Sequence, residues 1–461
     1  MQFNEHFIQS ALHDVQMKGT LVGDVVGFSV DSRSIELGEI FVALQGSQTD
    51  GHNFIAQALT KGAGVIVAAE KASLLDAYAH LLKNKLLIIV ADPLQALFTL
   101  AREWRAQFNV PIMAVTGSVG KTSTKEQLAL ILRFAGKKYL ISQGNQNTII
   151  GACLNILRLR SWHEGAILEL GVNKRAEMER IVSIVKPTSA LITNIGHCHM
   201  EGIGSLHDIA LEKRDVFKYF LQDSIGIING DSPLLSTVSY PHPMIRFGSK
   251  TTNQIQARKI RVAGGHISFV LKIYKAKFQV LINHPHISAV FNLLGATAAA
   301  YLLGVPVEQI VAAIKQPFVV SERFEICKPA LSKGIIINDA YNANPESMKA
   351  SLLAFQQLET HAPKVAVLGD MLELGVNSPF WHRQLGRFLR KVPSLKHLVL
   401  VGTMVKWAKK TLPATVSVQL VPSWQDAVSI VREHLDRDSM VLVKGSLGTG
   451  LRELAKELIE R

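Results

Sequence analysis

Pro111-Ile112-Met113-Ala114-Val115-Thr116-Gly117-Ser118-Val119-Gly120-Lys121-Thr122 is the stretch on which the fold turns. Its first five residues are apolar and predict a buried strand, and a glycine-containing turn follows at once. Beyond the turn a helix is predicted to about Phe134, with Gly136 placed for a left-handed C-terminal cap. In a strand–turn–helix of this kind, backbone N–H groups can converge on an anion at the positive end of the helix. Lys121 can then reach the outer phosphates of a nucleotide, and the Thr122 hydroxyl can bind Mg2+. The longer GxxxxGK[ST] pattern is not met, because its first glycine would fall at Val115; the shorter GxxGKT is. Thr116 to Thr122 are therefore the candidate phosphate-binding residues.

Reading outward, Ala166-Ile167-Leu168 and Ala190-Leu191-Ile192 are further buried strands that end directly in polar residues. An amphipathic helix over Pro93 to Gln107 carries Leu94, Leu97, Leu100, Ala101 and Trp104 on one side. Alternating buried strands and helices predict a parallel sheet whose ligand loops lie at the carboxyl ends of its strands. Before this segment, Ile40 to Leu44, Val65 to Ala69 and Leu86 to Val90 read as strands around a short helix that ends near Gly62. After it, strands at Ile335, Val365, Leu398 and Val441 again feed polar or glycine loops. The expected fold class is α/β in three domains. Residues 1–92 form a small α/β domain, residues 93–316 a central P-loop-type parallel-sheet ATPase domain, and residues 317–461 a C-terminal Rossmann-like domain.

Composition narrows the class. The 461 residues are 48% hydrophobic and 19% charged, a balance that argues against a disordered or fibrous chain. No apolar run reaches the roughly 18 residues of a membrane span, and Leu293 to Val305, the longest, is stopped by Pro306. The first residues, Met1 to His6, show no basic stretch followed by an apolar one. Cys153, Cys198 and Cys327 are scattered, which argues against a disulfide framework; a cytoplasmic protein is expected. The net charge of +13 could answer a polyanionic partner. Its basic residues are dispersed, however, and no nucleic-acid-binding signature accompanies them. A small, highly anionic substrate explains the sign as well, so no nucleic-acid partner is expected.

Glu169 follows a strand in the same layer as the phosphate loop, and Asn194 to Glu201 follow the next strand in the same way. A Mg2+ site beside phosphate needs oxygen-rich ligands and tolerates a histidine. His199 reads either as such a ligand or as a loop histidine bonded to backbone. His199-Met200-Glu201 lacks the PCxxC that a zinc deaminase would add. Lys213, on the predicted helical stretch Leu206 to Phe220, reads by itself as a solvated charge.

Together these pieces resemble the Mur ligase family, through all three segments. The phosphate loop with Ser123-Thr124-Lys125-Glu126 looks like the family's nucleotide loop. Leu168 to Asn173 is similar to its ELGxN element, and Asn194 to Glu201 with Gly204-Ser205 and Glu212-Lys213 to its TNIGxxHxExxGS…K element. Asn338 to Met348, Val367 to Gly375, His382 and Gly386 look like the member that adds D-alanyl-D-alanine; the DNPR-type motif of the diaminopimelate- or lysine-adding relative is absent. Asp31-Ser32-Arg33, Phe41 to Gly46 and Asp50-Gly51-His52 resemble the end that holds the UDP-sugar. Three positions depart: the family's HN pair is Ser288-Ala289, its KGSR is Lys444-Gly445-Ser446-Leu447, and a glycine after ELGxNxx is Ala176, expected to be harmless at a helix start.

The resemblance implies ATP-dependent ligation of D-alanyl-D-alanine to UDP-N-acetylmuramoyl-tripeptide through an acyl phosphate, by a monomer using ATP and two Mg2+ ions. It implies metal ligation by Thr122, Glu169, His199 and a carbamylated Lys213. Lys121 and Arg323 would offset charge on the transferred phosphoryl, with Arg323 alternatively a surface ion pair. Ser123, Asn292 and Asp339 would join the nucleotide site, with Asp339 on the ribose or alternatively a helix N-cap. Substrate would be held by Ser32, Arg33, Gly46, Asp50 and His52 at the sugar end. Asn145, Asn147 and Thr148 would hold the muramoyl-peptide, or alternatively form only a turn, and Asn342 and Ser347 would face the dipeptide. Closure of the last domain is expected to assemble the site. Two readings of other kinds compete, a nucleic-acid-stimulated P-loop ATPase and a catalytically dead binding protein.

Overall fold

The computed structural model describes residues 3–460 except 14, 22, 24, 47–48, 72–79, 145, 330–333, 361–363 and 436–438. Three sheets follow one another along the chain, and each is built from the apolar runs read above. The first has five strands; Leu86–Val90 and Gly64–Ala68 pair in parallel at its centre, and every residue of both is buried. Gln16–Gly19 adds an antiparallel edge.

The central sheet has nine strands. Ile112–Thr116 lies between Gly165–Glu169 on one side and Ser189–Ile192 on the other, parallel to both. The chain leaves this strand toward one flank and later returns to the other, so the crevice at its carboxyl end is a topological switch point, where α/β sheets bind ligands. The expectation of a parallel sheet holds for this half. Beyond Met244–Gly248 and Ile255–Ala263, the strands His266–Ile273 and Ala276–Ile282 extend it as an antiparallel meander. The alternation of buried and exposed residues in His266–Ile273 is that of a sheet with one wet face.

Helix Pro93–Ala106 starts on Asp92, whose carboxylate accepts from the Leu94 and Gln95 amides, and proline at its first position costs no hydrogen bond there. Its Trp104 packs on Phe3 and Phe7 and donates to the Leu159 carbonyl, joining the first domain to the second. The third sheet has six strands, parallel except for Glu325–Cys327 at its edge. One side is covered by helices Pro345–Gln357, Ser378–Phe388 and Lys406–Lys409, and the other by Trp424–Arg432 and Leu451–Glu460. No helix among the described residues is long and apolar enough to cross a membrane.

Candidate active site

The turn after Ile112–Thr116 is fixed by hydrogen bonds to the loop after the neighbouring strand. Ser118 N donates to the Asn194 carbonyl (3.0 Å) and Val119 N to Asn194 Oδ1 (2.9 Å). Ser118 Oγ both donates to the Gly196 carbonyl and accepts from the Gly196 amide. Two glycines are required here. Gly117 has φ +142°, and a Cβ there would sit 1.9 Å from Thr193 Oγ1. Gly120 has φ +84°, and its Cβ would meet Asn292 Oδ1 at 2.3 Å. Asn292 is thus brought to the start of helix Lys121–Phe134 by helix Ser288–Leu302. Lys121 Nζ donates to the Gly117 carbonyl (2.9 Å), across the mouth of its own loop.

One cleft is lined by Lys121, Thr122, Asn147, Thr148, Glu169 and His199 from the central domain. Arg323, Asn342, Ser347, Glu373 and Leu447 of the last domain line it from the other side. Glu169, at the end of its strand, is buried; Oε1 accepts from Asn147 Nδ2 (2.9 Å), while Oε2 is buried with no partner among the described residues. His199 occupies a left-handed backbone position at φ +52°, with Nδ1 2.5 Å from Glu373 Oε2 but without hydrogen-bond alignment. Contact with the His199 ring holds the Glu373 carboxyl below its usual range.

Lys213 is the clearest departure from the reading of isolated residues. Rather than a solvated charge it is 0% exposed, with Nζ bonded to nothing among the described residues. Desolvation pushes its pKa down to about 8, opposed by the nearby Cys198 and Glu212 and aided by Lys121. Its neighbour Glu212 is also buried and accepts from the Ala176 and Met178 amides, capping helix Glu177–Val185. Ala176 itself has φ +62°, so the expectation that its replacement of glycine is harmless is corrected: a Cβ in this region is strained.

Among the described residues Arg323 is not paired with a carboxylate. Its guanidinium lies over the Tyr341 ring at 3.9 Å, and Nη2 approaches Thr122 Oγ1 at 3.4 Å. Asp339 is not a helix cap, a role taken by Asn344 for helix Pro345–Gln357. Both Asp339 oxygens are engaged: Oδ1 accepts from the Phe324 amide, and Oδ2 accepts from Ser351 Oγ and meets Lys444 Nζ at 2.8 Å. Asp339 nevertheless lines a second cleft of about 850 Å3 with Gly120, Ser123, Asn292 and Arg323, adjoining the first at Gly120 and Arg323. His284 and His286 stand in this cleft too, unnoticed in the sequence. Burial pushes both rings down to about 4, so both are neutral near pH 7. They lie just before the Ser288-Ala289 departure, and the His284-Pro285-His286 spacing was the available signal.

In the N-terminal part of the chain, a cavity of about 2040 Å3 is lined by Ser32, Arg33, Gly46 and His52. Arg33 is exposed and pairs with Asp31 at the rim. His52 is buried, with Nδ1 2.6 Å from Asp50 and Nε2 accepting from the Ala68 amide, so this pair braces the wall. Thr148 caps helix Ile149–Leu157, and Ser347 and Asn344 form a reciprocal capping box, so both hydroxyls have structural duties at the cleft edge. Asn342 Oδ1 accepts from the Ala343 amide. Asn145 lies outside the described residues. The sequence reading also missed Glu346, which meets His197 Nδ1 at 2.5 Å and, like Glu373, ties the last domain to the central one.

The site bears on whether Mg2+ fits. Among the described residues no three His, Cys, Asp or Glu side chains converge on one point. Mg2+ commonly takes only one or two protein carboxylates plus phosphate oxygens and water. Glu169 Oε2, without a partner among the described residues, and the Thr122 hydroxyl suit that role at the cleft, whereas the buried Lys213 amine is not among the residues that line it.

Comparison with known proteins agrees with this geometry. Residues 24–105 match the profile "Mur ligase family, catalytic domain", residues 115–300 "Mur ligase middle domain", and residues 322–447 "Mur ligase, glutamate ligase domain". The UDP-N-acetylmuramoyl-tripeptide--D-alanyl-D-alanine ligase of Bacillus subtilis is 30% identical over 455 residues, covering 96% of each chain. Its Escherichia coli counterpart is 29% identical over 466 residues, covering 96% of this chain and 98% of its own. A crystal structure of MurF from Acinetobacter baumannii superposes with a TM-score of 0.85 at 28% identity, covering 100% of this chain and 99% of that one. The Thermotoga maritima MurF structure in complex with ADP shares the fold, with a TM-score of 0.78 at 24% identity over 94% of this chain and 97% of its own. The chain belongs to the Mur ligase family.

Proposed function

We propose that this protein ligates D-alanyl-D-alanine to UDP-N-acetylmuramoyl-tripeptide at the expense of ATP, in the cytoplasmic synthesis of peptidoglycan precursors. The relatives at near-full coverage carry that activity in their names. The observation that carries the reading in this chain is the single cleft joining the phosphate loop, Glu169 and His199 to Arg323, Asn342 and Ser347 of the last domain.

The chemical obstacle is charge, since a carboxylate must approach a triphosphate. The tripeptide carboxylate oxygen bonds to the γ-phosphorus as the bond to the β,γ-bridging oxygen breaks, giving an acyl phosphate and ADP. The dipeptide amine then bonds to the acyl carbon, phosphate leaves, and the amine proton is released. Lys121 and Arg323 both line the cleft and would offset charge on the transferred phosphoryl, with the Arg323 guanidinium resting over Tyr341. Thr122, Glu169, His199 and a carbamylated Lys213 would hold two Mg2+ ions, which when bound neutralise phosphate charge. Lys213 suits carbamylation because its lowered pKa leaves a substantial neutral-amine fraction near pH 8, and only the neutral amine adds carbon dioxide. Asn147 orients Glu169, and His284 and His286 present uncharged rings to the base side of the nucleotide. The protein acts as a monomer on small anionic substrates.

Phosphate release measured with each substrate omitted in turn tests the assignment. Turnover should require ATP, UDP-N-acetylmuramoyl-tripeptide and D-alanyl-D-alanine together. Stimulation by polynucleotide, or equal turnover with a free diamino acid and the dipeptide nucleotide, would refute it.

A further inference from the structure

The positive charge of this chain is not evenly laid out. Between Glu373 and Asp426 there are eight Lys and Arg and no Asp or Glu. These residues fall largely on one helical layer of the last domain, formed by Ser378–Phe388, its extension Leu389–Lys391, and Lys406–Lys409. The two helices touch along Gly386, where a Cβ would strike the Ala408 carbonyl at 2.3 Å, so their cations share a surface. Among the described residues none of the eight forms an ion pair. The opposite layer of the same sheet is different: Arg432 pairs with Glu457, Lys456 with Glu460, and Arg452 with Glu322. One face is electrically self-satisfied and the other is not.

We propose that this unpaired layer docks on an anionic lipid surface. Phe380, Arg383, Arg387 and Arg390 recur at spacings of three and four, and so share one helix face. Phe380 is 44% exposed there, and Val376, on the turn just before the helix, is 96% exposed. Cations with apolar side chains between them match a headgroup layer, where charge meets phosphate and the apolar groups enter the acyl boundary. Other occupants fit less well. Bases of single-stranded nucleic acid stack on open aromatic faces, but Trp407 already carries Lys410 at 4.4 Å and Arg383 at 5.4 Å. A second copy would bring a net charge of +13 against the same sign. None of these residues lines the reaction cleft, so docking leaves it open.

The test is co-sedimentation of the full chain with vesicles, which does not depend on the ligase assignment. The chain should partition to vesicles of equal parts phosphatidylglycerol and phosphatidylcholine, not to phosphatidylcholine alone, and should be released by salt. The triple variant Arg387→Glu, Arg390→Glu, Lys409→Glu should partition about a hundredfold more weakly, since each basic side chain near such a surface contributes roughly a factor of five to ten. Unchanged ATP-dependent turnover in solution would show that the variant folds. Should it not, Lys406→Gln, Lys409→Gln, Lys410→Gln serves on the short helix, with a smaller loss expected. The proposal is overturned if the wild type ignores anionic vesicles, if both variants partition like the wild type, or if the same residues bind single-stranded DNA or polyglutamate more tightly than vesicles.

Discussion

Lys444 Nζ sits 2.8 Å from Asp339 Oδ2 where adjacent parallel strands of the last domain end, and both side chains are almost wholly removed from water. Lys444 also donates to the Asn342 carbonyl at 3.0 Å, so the pair ties a strand to a cleft loop. Removing one partner leaves the other buried and unpaired. Lys444→Met should therefore destabilise the protein by about 3–5 kcal/mol, and adding Asp339→Asn should recover part of that loss. Urea denaturation of the two variants measures it; equal stability of single and double variants would refute the coupling.

Lys121 and Arg323 approach the same cleft from different domains. Lys121→Ala should lower product formation by more than about a hundredfold, the scale of one lost transition-state charge contact. Arg323→Lys should also lose activity, because an ammonium cannot lie flat on Tyr341 while reaching Thr122. Single-turnover phosphate transfer is the measurement, and near-normal rates would remove either residue from the chemistry.

Lys213→Ala should be inactive but folded, and short carboxylates such as acetate should restore part of its activity by supplying the missing oxygen ligand. The wild type should also show a carbamate carbon by 13C NMR after incubation with labelled bicarbonate. Absence of both rescue and signal would discard the carbamate.

His284 and His286 are held neutral to about pH 4, whereas in the unfolded chain they protonate near pH 6.5. The neighbouring Asp339 opposes this shift for both rings, and Lys444 reinforces it for His286. The unfolded state thus binds more protons between these values, so stability falls as pH drops from about 6.5 towards 4. Replacing both with Gln should flatten that slope by several kcal/mol across the window, at about 1.4 kcal/mol for each ring and each pH unit. An unchanged pH profile of urea midpoints would contradict it.

Ala176→Gly should raise stability by about 1 kcal/mol, because glycine adopts the left-handed conformation without a Cβ penalty. A lower Tm in the glycine variant would refute the strain.

The strands around the phosphate loop were legible because buried parallel strands are continuous apolar runs: Leu86–Val90 was read to the residue, and Ile112–Thr116 within one. The meander of Ile255–Ala263, His266–Ile273 and Ala276–Ile282 was not, since basic residues on its wet face break the apolar pattern. That Lys121, Thr122 and Glu169 would meet at one cleft was accessible in the same way, since strand ends and glycine turns place them there. Lys213 was not, because nothing local distinguishes a buried lysine from an exposed one on a helix. Glu373 and Glu346 escaped for a related reason, since their partners lie in another domain and sequence spacing carries no trace of that contact.

The paired bonds between Ser118 Oγ and the Gly196 backbone have a consequence for how this protein can change. They make the phosphate cradle and the segment leading to His199 move as one body. A substitution that retunes affinity for the triphosphate will therefore also displace the imidazole. Inheritable variation here should arise in compensating sets, and a designer seeking a different nucleotide would do better away from the cradle.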